Sequence, residues 1–287
     1  MNAVCSLCGN KDIEVIHCGT RDNSNINVLK CKKCGLVFLS SFEQISDEFY
    51  ENSHMHDNEE EESFEDWVAI TKEDDDRRVA LLEKTCKEKK ILDFGCGNAG
   101  FLRGIMSVAH SVSGVEIEDE ARKIINAEGI KVYKSLDDCK EKYDIITCFH
   151  VIEHLENPLI YLKTMSEHLY EGGKIIIETP NSEDALLSLY HVKEFADFTY
   201  WSPHIILYNY NTIALLAEKA GLQVKWNRQL QRYPLSNHLY WLSEKQPGGH
   251  VKWDMFNDEV LIKEYQHILE EHHWCDTLFV CLEMRSE

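Results

Sequence analysis

Four cysteines come first among the residues whose types and spacing could do chemistry. Cys5-Ser-Leu-Cys8 and Cys31-Lys-Lys-Cys34 are two CxxC knuckles with residues 9–30 between them. Each knuckle presents two thiolates on one tight turn, and two knuckles complete the closed tetrahedron that a structural Zn²⁺ takes. Gly9 and Gly35 follow the second cysteine of each pair, where the turn needs a permissive backbone. His17 and Cys18 lie between the knuckles and are alternative ligands. A site with four thiolates and no open position is expected to fold its module and not to catalyse.

A second pattern is Ile91-Leu92-Asp93-Phe94-Gly95-Cys96-Gly97-Asn98-Ala99-Gly100-Phe101-Leu102, read as a strand, a glycine turn and a helix start. Glycines let the backbone approach a ligand, and a helix N-terminus aims amides at it. Asp93 ends the strand, where an acid can hold a cationic amino group or a loop amide. Glu116 ends the next strand about 20 residues beyond the loop, where an acid accepts both ribose hydroxyls. Loop and acid also suit a nicotinamide cofactor, so an NAD-dependent oxidoreductase is the alternative from another enzyme class.

The third pattern, His150-Val151-Ile152-Glu153-His154, follows an apolar strand at the carboxyl edge where α/β ligands bind. If a helix begins there, His150, Glu153 and His154 share one face. Two imidazoles and a carboxylate converging there can act as general base or as metal ligands.

In order, ILDFGCGNAGFL, GVEIE, YDIITCFHVIEHLENP and LYEGGKIIIETPN resemble the motifs of class I S-adenosylmethionine (SAM)-dependent methyltransferases. The resemblance covers roughly residues 89–225 and is nearest to ubiquinone-pathway O-methyltransferases and deoxysugar methyltransferases. It implies that Asp93, Gly95 and Gly97 line the methionine moiety of SAM and that Glu116 holds the ribose. Ser135, Leu136 and Asp137 would sit by the adenine, and Phe149 and His150 would face the sulfonium. Ala99 stands where the family commonly has a third glycine. In some sugar C-methyltransferases a similar zinc module ends in a stretch like Cys31-Lys32-Lys33-Cys34-Gly35-Leu36-Val37. A related acid-x-x-acid-His binds a divalent ion in ubiquinone-pathway and small-RNA 2′-O-methyltransferases. The small-RNA enzymes add a later histidine, for which His204 in Trp201-Ser202-Pro203-His204 is the counterpart. His150, Glu153, His154 and His204 are therefore the candidate catalytic residues: the Glu153-His154 pair is read first as a pocket element without metal, acid/base work by a histidine comes next, and a second divalent metal there is the minority reading.

These residues need a scaffold. Runs at Lys90–Phe94, Ser111–Val115, Lys131–Tyr133, Tyr143–Phe149, Lys174–Glu178 and Leu222–Trp226 alternate with amphipathic stretches, the pattern of a mostly parallel sheet. Further strands are expected at Glu14–His17, Val37–Leu39 and Thr277–Met284. The fold expected is α/β, a Rossmann-like class I methyltransferase sheet with helices on both faces, plus a small N-terminal zinc ribbon with four cysteine ligands. Its parts are a zinc module at 1–40, a helical linker or lid at 41–88, a SAM-binding domain at 89–229, and a completion of the fold and acceptor lid at 230–287. Apolar positions near Trp67, Ile70, Val79 and Leu82 mark the linker helix. A helix follows Asn209-Tyr210-Asn211-Thr212 over Ile213–Ala220, closed by Gly221. Tyr200, Trp201, Tyr208, Tyr240 and Trp241 either wall the acceptor or pack the core and lid.

With 30 Lys+Arg against 50 Asp+Glu, the formal net charge is -20. Such a surface repels phosphate backbones and anionic membranes, so neither is an expected partner. The acidic run Asp57–Glu62 and the triplet Asp74–Asp76 read as a solvated linker and an exposed helix face. No apolar run approaches the roughly 20 residues of a membrane span. With no secretory signal visible, the 11 cysteines indicate a reducing compartment, and cytoplasm is expected. The reaction expected is in-line methyl transfer to a small-molecule acceptor, a sugar or nucleotide-sugar hydroxyl. A protein or RNA recognised through the zinc module is the alternative acceptor.

Overall fold

In a computed structural model, which describes residues 3–42 and 63–285, the short apolar runs form strands and the amphipathic stretches form helices. The run Asp57–Glu62 lies outside the described residues. The order begins β1 (Ile13–His17), β2 (Val28–Cys31), β3 (Val37–Leu39) and α1 (Phe64–Cys86). Next come β4 (Lys90–Phe94), α2 (Gly100–Ile105), β5 (Ser111–Val115), α3 (Asp119–Ala127), β6 (Lys131–Tyr133) and β7 (Tyr143–Phe149). Then follow α4 (Pro158–Glu167), β8 (Leu169–Pro180), α5 (Ala185–Ser188), α6 (Lys193–Thr199), β9 (Ile206–Leu207), α7 (Tyr210–Lys219) and β10 (Leu222–Leu230). The chain ends through α8 (Leu235–Glu244), α9 (Gly249–Lys252), α10 (Glu259–Glu271) and β11 (Thr277–Met284).

A seven-stranded sheet has the order β10-β11-β8-β7-β4-β5-β6, and a four-stranded sheet the order β1-β2-β3-β9. β5 and β7 flank β4 in parallel, and β6 is parallel to β5. Strand order therefore reverses between β4 and β7, the switch point outside which α/β sheets bind ligands at their carboxyl ends. Ile91, Leu92, Ile146, Ile175, Ile176, Ile177, Val280 and Leu282 are fully buried, as expected for strands covered on both faces.

The described residues fall into two units. One lies within Met1–Phe42, Ile152–Leu159 and Ile177–Cys281, the other within Glu43–Val151, Ile160–Ile176 and Leu282–Glu287. In the first, the cysteine segment gains a fourth strand from far along the chain: β3 pairs antiparallel with β9, Val37 opposite Leu207 and Phe38 opposite Ile206. Among the described residues no helix is long and apolar enough to cross a membrane.

Several expectations need correcting. β8 starts before Lys174 and β10 runs on past Trp226, through polar or glycine residues that carry no apolar signal. β2 and β9 add two strands that the apolar pattern does not mark, one masked by its cysteine and the other only two residues long. Ile70 is 63% exposed and is no core position. Asp75, expected on an exposed acidic face, is buried.

α7 starts where its cap chemistry requires. Asn209 Oδ1 accepts from the amides of Asn211 (3.0 Å) and Thr212 (2.9 Å), while the Thr212 hydroxyl accepts from the Asn209 amide at 2.8 Å. Asn209 is also buried and donates from Nδ2 to Glu183 Oε1 at 3.1 Å. Asn209→Ala is expected to cost about 1–2 kcal/mol, the upper part of the capping range, read as a lowered urea midpoint. An unchanged midpoint would show that the cap contributes nothing.

Candidate active site

In the unit that carries the glycine loop, β4 ends at Phe94 and the backbone then turns through two left-handed glycines, Gly95 (φ +73°) and Gly97 (φ +52°). A Cβ on Gly95 would collide with the Val151 side chain, and one on Gly97 would meet Trp67 Cζ2 at 3.0 Å. Both positions thus need glycine for conformation and for space. Ala99, at the start of α2, also takes a left-handed conformation (φ +62°), which glycine adopts at less cost.

Hydrogen bonds hold the loop to the end of β5. The amides of Gly95 and Cys96 donate to the Val115 carbonyl at 2.8 and 2.9 Å. The Gly97 amide donates to Glu116 Oε2 at 2.8 Å. Glu116 Oε1 accepts from the amides of Ile117 (2.8 Å) and Glu118 (3.0 Å), so the carboxylate is aimed by three backbone donors. Its own amide donates to the Tyr133 carbonyl at 3.0 Å. Asp93, enclosed at the end of β4, accepts from the Thr147 hydroxyl of β7 at 2.6 Å. Burial pushes its carboxyl up to about 7, against the Thr147 bond and the Arg78 charge, which favour ionisation.

α1 lies on this loop and supplies more than the linker expected of it. Trp67, Thr71, Asp75 and Arg78 recur at i, i+4, i+8 and i+11, one helical face. Asn98 Nδ2 donates to the Thr71 hydroxyl at 2.8 Å, and the Thr71 hydroxyl donates to Asp75 Oδ2 at 3.1 Å. Arg78 donates to Asp75 Oδ1 at 3.1 Å. Burial still raises the Asp75 carboxyl, with Arg78 opposing. The Arg78 guanidinium stands 4.9 Å from the Phe149 ring centroid, and Phe101 meets that ring edge-on at 5.1 Å. The signal that could disclose this face is its spacing, hidden by the surrounding charges.

The other candidates in this unit are placed as follows. Ser135 caps a single 3₁₀ turn, Leu136–Asp138, and its hydroxyl donates to Asp138 Oδ2 at 3.0 Å. Leu136 is buried and Asp137 exposed. Phe149 is buried, and His150 has φ +53°. That angle breaks the helix expected to put His150, Glu153 and His154 on one face; only a 3₁₀ turn, Ile152–His154, forms.

In the other unit, Glu153, His154 and His204 come together, with one ligand atom of each within 4.8 Å of the others. His150 is not part of this trio. Glu153 is fully buried and its Oε2 accepts from the Thr179 hydroxyl at 3.0 Å. His154 Nδ1 is 3.0 Å from the Pro203 carbonyl, which can only accept, so Nδ1 carries the proton and Nε2 a lone pair. The rings of His154 and His204 meet edge-on at 4.9 Å, and Trp201 meets His204 at 5.4 Å. Of the aromatics weighed as an acceptor wall, Tyr200, Tyr208, Tyr240 and Trp241 are buried, and Trp201 stands against His204.

The same unit holds the four thiols. Cys5 and Cys34 sulfurs are 3.6 Å apart, Cys8 and Cys31 sulfurs 3.5 Å, and all four lie within 4.8 Å of one another. A tetrahedron with metal–sulfur bonds of about 2.3 Å has edges of about 3.8 Å, so the cage fits Zn²⁺. Cys18 is exposed, and His17 instead meets Asp197 at 3.1 Å; neither joins the cluster.

Comparison with known proteins follows the same lines. Residues 67–225 match a family described as a methyltransferase domain. The "Ubiquinone biosynthesis O-methyltransferase" of Idiomarina loihiensis is 27% identical over 104 residues, 32% of this chain and 43% of that protein. The chain therefore spans less than half the length of that relative. The like-named protein of Hydrogenovibrio crunogenus is 22% identical over 177 residues, 54% of this chain and 73% of that one. A crystal structure of a SAM-dependent methyltransferase from Archaeoglobus fulgidus has a similar fold, with TM-score 0.50 and 21% identity over 77% of this chain and 94% of that one. Since the matched residues 67–225 make up more than half of the chain, it belongs to the methyltransferase-domain family.

Proposed function

We propose that this protein transfers a methyl group from SAM to a hydroxyl oxygen of a small molecule. The observation that carries the reading is the Glu116 carboxylate, pinned by three backbone amides, one of them from the glycine loop at Gly97. An acid so placed can accept from a ribose hydroxyl with the lone pair that its three amides leave on Oε2, and a glycine loop lets a ligand approach the backbone closely. The enclosed carboxyl of Asp93 supplies negative charge for a cationic amino acid moiety. Oxygen as the accepting atom is supported by relatives named as O-methyltransferases. We extend the proposal to a sugar or nucleotide-sugar acceptor because Cys31–Val37 resembles the zinc-module ending of some sugar C-methyltransferases; the hydroxyl as its methylated group rests on the O-methyltransferase relatives.

Bound SAM would supply a methyl group already activated on sulfonium. The chain's task is then alignment and removal of one proton. His154 would be the group that takes up the acceptor's hydroxyl proton, at the lone pair of Nε2. Pro203 fixes that tautomer, and the nearby Glu153 carboxylate offsets the positive charge left on the ring. A second reading is favoured by the Glu153–His154–His204 geometry: the trio holds a divalent cation. Two nitrogens and an oxygen suit Zn²⁺, Fe²⁺, Ni²⁺ or Mn²⁺ better than Mg²⁺. We assign a structural Zn²⁺ to Cys5, Cys8, Cys31 and Cys34.

Calorimetry with SAM and S-adenosylhomocysteine tests the cofactor. Wild-type protein is expected to bind both, and Glu116→Ala to weaken binding by roughly 1.5–3 kcal/mol, the range for bonds to a charged group. A wild type that binds neither overturns the reading.

His154→Ala is expected to slow methyl transfer while leaving SAM affinity nearly unchanged. Normal turnover in that variant removes the base role. Activity lost on chelation and restored by one metal selects the cation reading.

Zinc is tested by elemental analysis, with about one equivalent expected in protein purified without chelator. Cys31→Ser should release it and make the N-terminal segment protease-sensitive. Less than about half an equivalent in the wild type would count against a closed four-thiolate site.

A further inference from the structure

The four-cysteine segment grips one stretch of chain, Asp197–Leu207, at successive points. His17 Nε2 lies 3.1 Å from Asp197 Oδ1, and its ring is 5.2 Å from that of Tyr200. The Arg21 amide donates to the Tyr200 carbonyl at 2.7 Å. The Arg21 guanidinium stands 4.8 Å from the Trp201 ring and 5.5 Å from that of Phe198. Asp22 accepts from the Ser202 amide at 3.0 Å and from the Ser202 hydroxyl. The Leu39 amide donates to the Ile205 carbonyl at 3.0 Å, and β3 pairs with β9 directly beyond.

His204 sits within the gripped stretch, with a hold on either side of it. Its amide donates to the Trp201 carbonyl at 3.0 Å and the Ile205 amide to the Pro203 carbonyl at 3.0 Å, so residues 201–205 form one tight turn. Ser202 and Pro203 are buried within it. The Pro203 carbonyl also fixes His154, so the turn orients both histidines of the trio. A turn of five residues has few ways to move its middle while both ends are hydrogen-bonded to another segment. Asp22 grips it through Ser202, two residues before His204. Its carboxylate is held below the usual range: burial works to raise it, and the bonds from Ser202 and Thr20 overcome that.

We propose that the cysteine module is the positioning device for His204, and that Asp22 is the positioning residue that acts through Ser202. This rests on the proposed role of Glu153, His154 and His204, and it gives the metal-folded segment a part in the reaction beyond its own folding. Zinc would hold the two knuckles; the second knuckle ends β2 at Cys31, β2 pairs with β1, and the turn at 20–22 between those strands holds Ser202 and so the ring two residues on.

The test is the histidine ring spectrum of the full chain labelled at the imidazole carbons, with His204 assigned by the resonance missing in His204→Gln. In wild-type protein the His204 ring signal should be displaced by the neighbouring Trp201 and His154 rings. Asp22→Ala should lose most of that displacement, while zinc content stays at one equivalent and S-adenosylhomocysteine affinity is unchanged. Asp22→Asn keeps an acceptor for the Ser202 amide and gains a donor to its hydroxyl, so it should keep most of the displacement. Cys31→Ser should lose it together with the zinc. A His204 signal unmoved in Asp22→Ala overturns the proposal, as does equal loss in Asp22→Asn, which would indicate general loosening. S-adenosylhomocysteine binding on the same samples reports separately on the methyltransferase reading: its absence in the wild type undoes that reading and leaves the ring result standing.

Discussion

The bond from the Gly97 amide to the Glu116 carboxylate is the constraint on which the cofactor side of the structure depends. It joins the loop after β4 to the end of the neighbouring strand β5, across a parallel pairing that already sets Phe94 opposite Val115. For the amide to reach, the backbone must turn through two positive φ values at once, and glycines occupy both positions. The amides of Gly95 and Cys96 are committed to the Val115 carbonyl, which leaves the loop little freedom. What results is a hydrogen-bonded loop at the switch point of the sheet, holding one aimed carboxylate. α1 completes it, because Trp67 fits only against a residue without a side chain.

Most of the sheet is legible in the sequence because parallel strands buried on both faces show as unbroken apolar runs. Lys90–Phe94, Ser111–Val115, Lys131–Tyr133, Tyr143–Phe149 and Thr277–Met284 form strands with the bounds that their sequence implies. β8 and β10 extend beyond their apolar runs because polar residues paired only through their backbones give no such signal. The cysteine quartet is legible from spacing, since knuckle geometry is local. Its sharing of a sheet with β9 is not, because the pairing joins residues far apart in the chain and β9 has two residues. Within the candidate sites, Glu153, His154 and His204 lie together, and the φ of +53° at His150 interrupts the helical face that its spacing suggests. Asp75 differs for another reason: in a run of three acids, composition says solvent, and only the helical phase separates the buried one from its neighbours.

The trio of Glu153, His154 and His204 illustrates how much of such a site is backbone. The Pro203 carbonyl meets His154 Nδ1, and the pairing within residues 201–205 forms the turn that bears His204. Proline contributes no N–H, so the turn has one fewer donor to satisfy in a buried position. The Thr179 hydroxyl donates to Glu153 Oε2 at 3.0 Å. A base and a metal site thus make the same demands on this scaffold, and the chemistry of the occupant decides between them.

Buried acids give the glycine-loop unit a preference that its shape alone does not. Asp93 and Asp75 are both pushed up by burial, Asp93 to about 7. The sign follows directly. An acid whose folded value is raised stabilises the fold fully below its unfolded value and loses that contribution as pH rises through about 7. For Asp93 the loss amounts to a few kcal/mol at most. Above neutrality Asp93 therefore carries a charge that its burial disfavours, with Thr147 and Arg78 only partly compensating. A ligand that brings positive charge against Asp93 reverses the balance, because it favours the ionised form that burial opposes. A neutral ligand of the same shape has no such effect. On the proposed reading, Asp93 would favour a cationic occupant, as an amino acid moiety bearing an ammonium group would be.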